Sequence, residues 1–383
     1  MLVITDKRLP TDHSFIQGCL ASSLPQVGVE VLFLGLSETY HGLQKIDGVQ
    51  YHLFKVWPGG MLVEALQIIF VFFRLLSHQV AFDTVFTRND PMALFLGYLY
   101  CNFINKKAKH LHHISFLHAQ SILSSKFHGI KYKIVAYLDL SFQRLFLKKA
   151  HHIFAISDAM RDLLQARHPS LSHKLDALPL GIQEKDFDSP MEFFQRPIEI
   201  AYIGTLAASR RLNILIDAIG LYNRRYGALT LKVWGASHDP RDDEALQAYV
   251  THCGLEEQVR LCGKVPRDQV LKTLMRTKIG VCTIPPDNLY KYSSPTKLME
   301  YLAAGCCVIA SGGIPEQQSI IEKSGGGILV SFCAEAIADG IHQLRHGPKD
   351  AAMMAAQGRD WILKNRDYLS MASHIKRIAS GLA

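Results

Sequence analysis

Short apolar runs rich in β-branched residues alternate with longer amphipathic stretches along the chain. The short runs predict buried strands, and the longer stretches predict helices that can cross from one parallel strand to the next. In the first half, strands are expected over residues 2–5, 30–35, 83–87, 113–117 and 152–156. Helices are expected over residues 14–24, 61–77, 91–102, 131–149 and 158–167. This alternation is typical of a doubly wound α/β domain.

The alternation stops at residues 188–197 and begins again at residue 198. Pro190, Pro197 and mixed polar residues make this segment a predicted linker. Beyond it, strands are expected over residues 198–203, 230–234, 259–262, 279–283 and 307–311, and helices over residues 212–226, 243–253, 267–275 and 295–304. The pattern predicts two doubly wound, Rossmann-like domains that face each other across a cleft with a site in it.

The domain boundaries are predicted from the same pattern. An N-terminal domain is expected over residues 1–188, a linker over 189–197 and a C-terminal domain over 198–365. The last segment, 366–383, is expected to be a helix that packs back on the N-terminal domain. With 383 residues, 48% of them hydrophobic, the chain can bury two cores, which excludes a disordered chain and a small disulfide scaffold.

Cysteine usage and the N-terminal residues indicate the compartment. The eight cysteines form no Cys-x-x-Cys pair and mostly lie in apolar runs, which is typical of reduced thiols in a cytoplasmic protein. The first residues lack the basic region and long apolar core of a signal peptide. The apolar stretch 61–76 is shorter than a membrane span and is interrupted by Glu64, Gln67 and Arg74, so we expect a buried helix there.

The net charge of +8 is concentrated in one segment. Nine basic residues and a single acid, Asp139, lie between residues 104 and 152, whereas the rest of the chain is neutral. Such a surface suggests an anionic partner, and nucleic acid is not expected because no basic-aromatic reading element accompanies the charge. An anionic membrane or a lipid-linked acceptor is expected to contact Lys126, Lys131, Lys133, Lys148 and Lys149. An ordinary solvated basic helix is the alternative.

A proline-initiated helix is the most informative candidate site. Ser294 is expected to be the N-cap and Pro295 the first helical residue, so that free N–H groups near Pro295, Thr296 and Lys297 can bind a pyrophosphate. Glu300 lies on the same side of this helix, where its carboxylate can accept hydrogen bonds from both hydroxyls of a ribose. The alternative is a capped helix followed by a buried strand, with no ligand.

A second candidate site follows the predicted strand 198–203. Gly204, with Thr205 beside it, lets the backbone approach a ligand closely. Arg210 and Arg211 open the next helix, where two cations oppose the helix dipole unless an anion is bound. Solvated surface charge is the alternative, and it is favoured for one of the two arginines. The chain contains no Gly-x-Gly-x-x-Gly fingerprint.

His118 is expected at the carboxyl end of a predicted strand, where open sheets bind ligands. Its imidazole can hydrogen-bond sugar hydroxyls or share a developing charge, and a structural histidine is the alternative. The adjacent pairs His112-His113 and His151-His152 would point apart on a strand and have no carboxylate or thiol at ligand spacing. No metal site is therefore predicted.

Taken in chain order, these segments resemble the retaining, GT-B-fold glycosyltransferases of family 4, the group 1 glycosyltransferases. The most specific match is the segment 297–310, which resembles the family pattern K(L/F)xEYMAxGxPVIA, and residues 312–316 extend it. Residues 203–210 resemble VGRL…KG, with Arg210 at the family lysine and Arg211 in place of the usual glycine. Further matches cover residues 154–158, 178–187, 233–235 and 259–263.

The resemblance implies a nucleotide-sugar donor bound by the C-terminal domain, with Glu300 on the ribose and Arg210 on the diphosphate. It implies an acceptor bound by the N-terminal domain and no required metal or other cofactor, since basic groups and helix ends stabilise the leaving diphosphate. His118 and Arg210 are the expected catalytic residues. The expected donor site comprises Gly204, Thr205, Arg210, Arg211, Gly235, Ser294, Pro295, Thr296, Lys297 and Glu300. The first glutamate of the family Glu-x7-Glu motif is Tyr292 here, so that contact with the donor sugar is either missing or supplied by Asp287 or a main-chain group.

These observations predict a cytoplasmic, retaining glycosyltransferase that moves a hexosyl or N-acetylhexosaminyl group to a growing glycan or a lipid-linked acceptor. Cell-surface polysaccharide or glycolipid synthesis, with peripheral association to the inner face of the membrane, is the expected setting. Two alternatives remain. A GT-B-fold sugar-nucleotide epimerase needs acid/base carboxylates around the sugar, and few candidates are present. A non-enzymatic two-domain binding protein would show no turnover.

Overall fold

The computed structural model describes residues 1–58, 61–76, 81–117, 123, 130–288 and 290–381. The chain divides into two compact units. Unit 1 contains Met1–Pro179 and Tyr368–Ala383, and unit 2 contains Leu180–Asp367. Each unit is an α/β unit built on one sheet of mainly parallel strands.

The first unit is formed by short strands and the helices that connect them. Its strands are β1 (Leu2–Thr5), β2 (Leu32–Ser37), β3 (Gly42–Ile46), β4 (Val49–Lys55), β5 (Thr84–Arg88), β6 (Lys109–Ile114), β7 (His152–Ala155) and β8 (Leu175–Ala177). A π-helix, Phe15–Ser23, continues into α1 (Leu24–Gln26), and the helices that follow are α2 (Met61–Leu76), α3 (Pro91–Leu99), α4 (Ile130–Phe146), α5 (Asp158–Arg167) and the final helix, Tyr368–Ser380. Among the described residues the sheet order is β3-β4-β2-β1-β5-β6-β7-β8. All neighbours pair in parallel except β3 and β4.

The antiparallel pair at the edge of this sheet was not predicted from the sequence. Strands β3 and β4 form a hairpin whose turn is Asp47-Gly48, with φ angles of 48° and 82°. Two residues with positive φ are typical of a type I′ turn, for which Asp-Gly is a preferred sequence. The dipeptide was therefore an available signal for the hairpin.

The strand bounds predicted at residues 113–117 are wrong. The strand, β6, runs from Lys109 to Ile114. Its three histidines are buried. His110 Nε2 and His112 Nδ1 each lie 2.8 Å from the Thr87 hydroxyl, and the His113 ring packs 4.8 Å from the Phe15 ring. Burial holds the pKa of His110 well below its ordinary value and lowers that of His112 to about 3. These imidazoles are neutral and occupy strand positions that the sequence pattern scored as polar.

Helix α2 also departs from expectation, because it is buried on one side only. Val71, Phe72 and Leu75 face the core, whereas the opposite side of the helix is exposed. The polar residues inside the stretch have structural partners: Gln67 donates to the Lys55 carbonyl and accepts from the Trp57 N–H, and Glu64 accepts from Arg8. Of the helices that the structure describes, none has the length and apolar character needed to cross a bilayer.

The second unit is built on an entirely parallel sheet. Its strands are β9 (Ile198–Ile203), β10 (Leu231–Trp234), β11 (Val259–Leu261), β12 (Thr277–Cys282), β13 (Cys307–Ser311) and β14 (Gly327–Val330). Its helices are α6 (Asn213–Tyr226), α7 (Pro240–His252), α8 (Arg267–Leu274), α9 (Thr296–Ala303), α10 (Pro315–Ser324), α11 (Ala334–His346) and α12 (Pro348–Asn365). The final helix of the chain, Tyr368–Ser380, belongs to unit 1 and is numbered α13. The order among the described residues is β11-β10-β9-β12-β13-β14. The apolar sides of α6 and α11 cover its core.

Unit 2 begins earlier than the predicted boundary at residue 188. The Leu180 N–H donates to the Ser294 hydroxyl, so the chain joins unit 2 at its first residue. The segment predicted to be a linker is also bound into this unit. The buried guanidinium of Arg196 donates to the carbonyls of Met191, Thr277 and Gly305. A chain segment held by these hydrogen bonds has the packing of a domain rather than of a linker.

Candidate functional site

The carboxyl ends of β9 and β10 meet at two glycines. Gly204 follows β9 and Gly235 follows β10, and the Gly204 N–H donates to the Trp234 carbonyl at 3.0 Å. A Cβ on Gly235 would lie 1.8 Å from the Gly204 carbonyl oxygen, and Gly235 has a φ of 139°. Only glycine fits there. Gly204 and Gly235 therefore form an edge without side chains, the glycine edge, at the position where open α/β sheets bind ligands.

Replacing Gly235 by alanine is expected to destabilise unit 2 by about 3 kcal/mol or more, because the new Cβ adds a backbone clash to an unfavourable φ. Thermal unfolding measures the loss. The matched control is Gly254→Ala, which has a φ of 64° but no atom within 4 Å of the new Cβ. That variant should lose only about 1 kcal/mol. Equal losses would show that the close approach of the two backbones is unimportant.

The loop after β9 separates the two arginines predicted for the donor site. The Arg210 guanidinium lies 4.3 Å from the centre of the Tyr290 ring, and the Tyr290 hydroxyl is 2.8 Å from that of Ser209. Arg211 is exposed and lies 3.7 Å from Asp287. Arg210 is thus the positioned cation, whereas Arg211 fits the description of a surface charge.

Arg211 has a left-handed backbone, with φ 50°. A left-handed residue is unfavourable for any side chain with a Cβ, and glycine is the usual solution. The structure therefore gives a physical reason for the glycine in the family pattern. Asp287, the candidate for the missing sugar contact, pairs with this arginine and accepts from the Tyr290 N–H at 3.3 Å.

The helix predicted to begin at Pro295 begins one residue later. Pro295 has φ −78° and ψ 100°, so it is the N-cap and Thr296 is the first helical residue of α9. The prediction that Ser294 caps this helix is wrong, because its hydroxyl accepts a hydrogen bond of 3.1 Å from the Leu180 N–H instead. The first amides of a helix have no intrahelical acceptor. Those of Thr296 and Lys297 are therefore the amides that this helix offers to an anion.

Glu300 lies one turn inside α9, and only 1% of its side chain is exposed. Its Oε2 is 2.6 Å from Lys297 Nζ, and its Oε1 is 2.8 Å from Arg267 Nη1. Burial acts to raise the pKa of this carboxyl, but the charges of Lys297 and Arg267 outweigh it and hold the pKa below its ordinary value. Glu300 is therefore an ionised, oriented carboxylate. Each of its oxygens has a further lone pair for a ligand hydroxyl.

Arg267 is a site residue that the sequence analysis missed. It is the first residue of α8, and its guanidinium joins Glu300 to Asp186, whose Oδ2 is 3.1 Å from Nη2. Asp186 comes from the short turn Glu184–Phe187 near the start of unit 2. A signal was available, because a cation at the first position of a predicted helix opposes the dipole, as at Arg210. The two carboxylates that Arg267 binds, those of Glu300 and Asp186, explain why a cation occupies the first position of this helix.

One tyrosine connects α9 to the glycine edge. The Tyr301 hydroxyl accepts from the Ile203 N–H at 2.7 Å, directly before Gly204. Its ring occupies the space that a Cβ on Gly280 would need. Burial raises the pKa of the neighbouring Cys282 thiol to about 12, and the charges of Arg210 and Lys297 act in the opposite direction. The positive charges of both side chains therefore act on this one thiol.

In unit 1, a polar cluster occupies the carboxyl ends of β1 and β5. Arg88 Nη1 lies 2.5 Å from Asp6 Oδ1, and Arg88 Nη2 lies 3.3 Å from His13 Nε2. Asn89, with a φ of 56°, exchanges hydrogen bonds of 2.7 Å with Ser115, which follows β6. Burial and the charge of Arg88 lower the pKa of His13 to about 3, so this imidazole is neutral. The predicted residue His118 lies outside the described residues.

The lysines predicted to contact a membrane or acceptor are only partly described. Lys126 and the side chain of Lys131 lie outside the described residues. Lys133 is half-buried on α4, and Lys148 and Lys149 are exposed in the turn that follows that helix. In the part of the chain that the structure describes, no three histidine, cysteine or acidic side chains are grouped so that they could hold a metal ion.

Two families match adjoining parts of the chain. The family described as "Glycosyl transferases group 1" matches residues 184–361, and "Glycosyl transferase 4-like domain" matches residues 19–181. No curated protein sequence matches the chain.

Solved structures of similar fold cover the chain from end to end. Sucrose-phosphate synthase from Thermosynechococcus elongatus has a TM-score of 0.79 and 15% identity, over 100% of this chain and 98% of that one. Anabaena HepE in complex with UDP and glucose has a TM-score of 0.72 and 14% identity, over 99% of both chains. A glycosyltransferase from Rickettsia africae has a TM-score of 0.67 and 14% identity, over 99% and 98%. At these identities the likeness shows the fold.

Proposed function

The chain belongs to the group 1 glycosyltransferases and has the GT-B fold, and on that premise we propose that it moves a hexosyl or N-acetylhexosaminyl group from a nucleoside diphosphate to a growing glycan or lipid-linked acceptor. The proposed reaction retains the anomeric configuration, because the acceptor oxygen attacks on the face from which the diphosphate leaves. The bond from the anomeric carbon to the phosphate oxygen breaks as the bond to the acceptor oxygen forms. The acceptor proton passes to the departing phosphate.

The buried, ion-paired Glu300 is the observation that carries this proposal. In the proposed complex its carboxylate accepts from the ribose hydroxyls, and the amides of Thr296 and Lys297 bind the diphosphate together with Arg210. These groups supply positive charge where the leaving group becomes more negative, and no metal is required in this scheme. HepE, a neighbour in fold, was crystallised with UDP and with UDP-glucose, which supports a nucleotide-sugar donor.

The acceptor is proposed to bind unit 1 at the carboxyl end of its sheet, with His118 as the second catalytic residue. The polar cluster of Asp6, His13, Arg88 and Asn89 supports this location, because ligands of doubly wound sheets bind at that edge. Its members are paired with one another, so the cluster offers oriented hydrogen-bonding groups rather than a free charge. Oriented groups of this kind suit the hydroxyls of a sugar.

The setting proposed for the reaction is the cytoplasmic face of a membrane, in the synthesis of a cell-surface polysaccharide or glycolipid. The eight free cysteines support a reducing compartment. The exposed Lys148 and Lys149 support an anionic surface as a partner.

Binding of nucleotides to the purified chain tests the proposal. A matching nucleoside diphosphate at about 100 times its Kd should raise the free energy of unfolding by about 2.7 kcal/mol. Radiolabelled nucleotide sugars and lipid extracts then test transfer. The proposal fails if no nucleotide changes the unfolding midpoint and no label is transferred. A product formed from the donor without any acceptor would instead indicate the epimerase.

A further inference from the structure

Two helices of unit 1 expose several large apolar side chains to solvent. On α2, the exposed residues include Leu66, Phe70 and Phe73, which are spaced so that they form one stripe. Arg74 is exposed beside this stripe, and the other side of the helix packs in the core. A helix of a soluble unit normally carries charged and polar residues on its outer face. The outer face of α2 therefore calls for an explanation.

Helix α4 repeats the same feature. Ile134, Tyr137, Leu138 and Leu145 lie on one face of this helix, by the spacing of helical turns. Together with the three α2 residues, each of these side chains is between 48% and 64% exposed. Single exposed apolar residues are ordinary on protein surfaces, but two such stripes are not.

Both stripes belong to one helical layer, because α2 and α4 each pack against the same neighbour. The ring of Phe95 on α3 lies 5.0 Å from that of Phe146 on α4. The ring of Phe72 on α2 lies 6.4 Å from that of Tyr100, the residue after α3. The contact of Phe72 with Tyr100 is buried and that of Phe95 with Phe146 is half-buried. Such packing fixes the rotation of α2 and α4, so their stripes cannot turn inward without breaking it.

Basic residues border the stripe on α4. Lys133 and Arg144 lie on the helix, and Lys148 and Lys149 follow it directly. The acid of this helix, Asp139, is half-buried and accepts a hydrogen bond from Gln143. An apolar stripe with a basic border is complementary to a bilayer that has anionic headgroups over acyl chains. A second copy of the chain fits less well, because an isologous contact brings the same basic residues together.

We propose that the outer faces of α2 and α4 dock on an anionic membrane, with the apolar side chains entering the headgroup–acyl boundary and the lysines and arginine binding the headgroups. This rests on the proposed function, to which it adds the surface that holds the acceptor-binding unit where a lipid-linked acceptor is found. The docking depends on the area of the stripes as well as on charge. Charge alone is therefore insufficient for full binding.

Vesicle sedimentation of the full chain tests the docking surface. The probes are phosphatidylcholine vesicles and vesicles of equal parts phosphatidylcholine and phosphatidylglycerol. The double variant Leu138→Gln/Leu145→Gln should bind the anionic vesicles at least tenfold more weakly than the unmodified chain. The matched control, Phe194→Gln/Met353→Gln, changes two exposed apolar side chains of unit 2 and should bind normally.

A charge variant separates the two contributions to binding. Lys148→Gln/Lys149→Gln should weaken binding to anionic vesicles by about fivefold per charge and leave binding to neutral vesicles unchanged. Equal vesicle binding by the Leu138/Leu145 variant and the unmodified chain would overturn the proposal. So would a wild-type dimer that binds no vesicles and that the same variant converts to a monomer in sedimentation equilibrium.

Donor binding is measured on the same preparations. Unchanged nucleotide affinity in the Leu138/Leu145 variant shows that the chain is folded and that a loss of vesicle binding is specific. If no preparation binds a nucleotide but the unmodified chain binds vesicles and the variant does not, the proposed reaction fails while the docking surface stands.

Discussion

Glu300→Ala is expected to lower the affinity for the nucleotide donor by at least about 100-fold. Two hydrogen bonds to a charged group contribute about 1.5–3 kcal/mol each, and every 1.4 kcal/mol corresponds to a tenfold change in Kd. The carboxylate is ionised in the free protein, since its pKa is held below the ordinary value. The proposed contact with the ribose therefore requires no change in protonation. Isothermal titration with the nucleotide identified in the binding screen measures the loss.

The same substitution removes the common partner of two cations. Breaking a buried ion pair typically costs about 3–5 kcal/mol. The lower end of that range is expected here, because Arg267 keeps Asp186 as a partner and Lys297 reaches solvent. Thermal unfolding of Glu300→Ala therefore has to be followed beside the titration, so that unfolded protein is not counted as weak binding.

Asp186→Asn is the control for the ion network. It breaks the contact between Asp186 and Arg267 and leaves both contacts of Glu300 in place. We expect a small loss of stability and a donor affinity within a factor of about three of the original, since residues outside the ligand contact change binding little. Unchanged donor affinity in Glu300→Ala would reject the ribose contact, and an equal loss in both variants would assign the effect to the network.

The strands of unit 2 were predictable because parallel strands buried on both sides are continuous apolar runs. Ile198–Ile203 and Cys307–Ser311 are found with the predicted bounds. In unit 1, the predicted bounds of β6 were wrong because histidines fill its buried positions. Burial of His110 and His112 depends on the hydroxyl of Thr87, which comes from another strand. The pattern of residue types along the chain does not show which strand will supply such a partner.

The candidate site shows the same division between local and non-local information. Glu300, Lys297 and Arg210 could be named from helix ends and strand ends, which are local features. Arg267 could not be joined to Glu300, because 33 positions separate them and only the fold brings them within 2.8 Å. Likewise, periodicity identified α2 as an apolar helix but not which of its sides the core would leave uncovered.

Arg210→Ala is expected to lower kcat for transfer by about 100- to 1,000-fold, as the loss of one preoriented donor to a developing anion does elsewhere. The guanidinium is held against the Tyr290 ring at 4.3 Å, so it is oriented before the donor binds. Arg210→Lys should recover most of the activity, since a lysine supplies the same charge at the position where the family pattern has lysine. Steady-state kinetics with the donor and acceptor from the transfer assay measure both variants.

Arg211→Gly is the matched control, because it removes the same charge one residue away. Arg211 is exposed, and its left-handed backbone is one that glycine adopts without strain. The variant should keep kcat within a factor of about three, because the ion pair of Arg211 with Asp287 is at the surface. Its free energy of unfolding should be unchanged or higher by up to about 1 kcal/mol. A loss of kcat in Arg211→Gly as large as that in Arg210→Ala would mean that activity depends on the total charge of the loop. The assignment of Arg210 to the diphosphate would then be wrong.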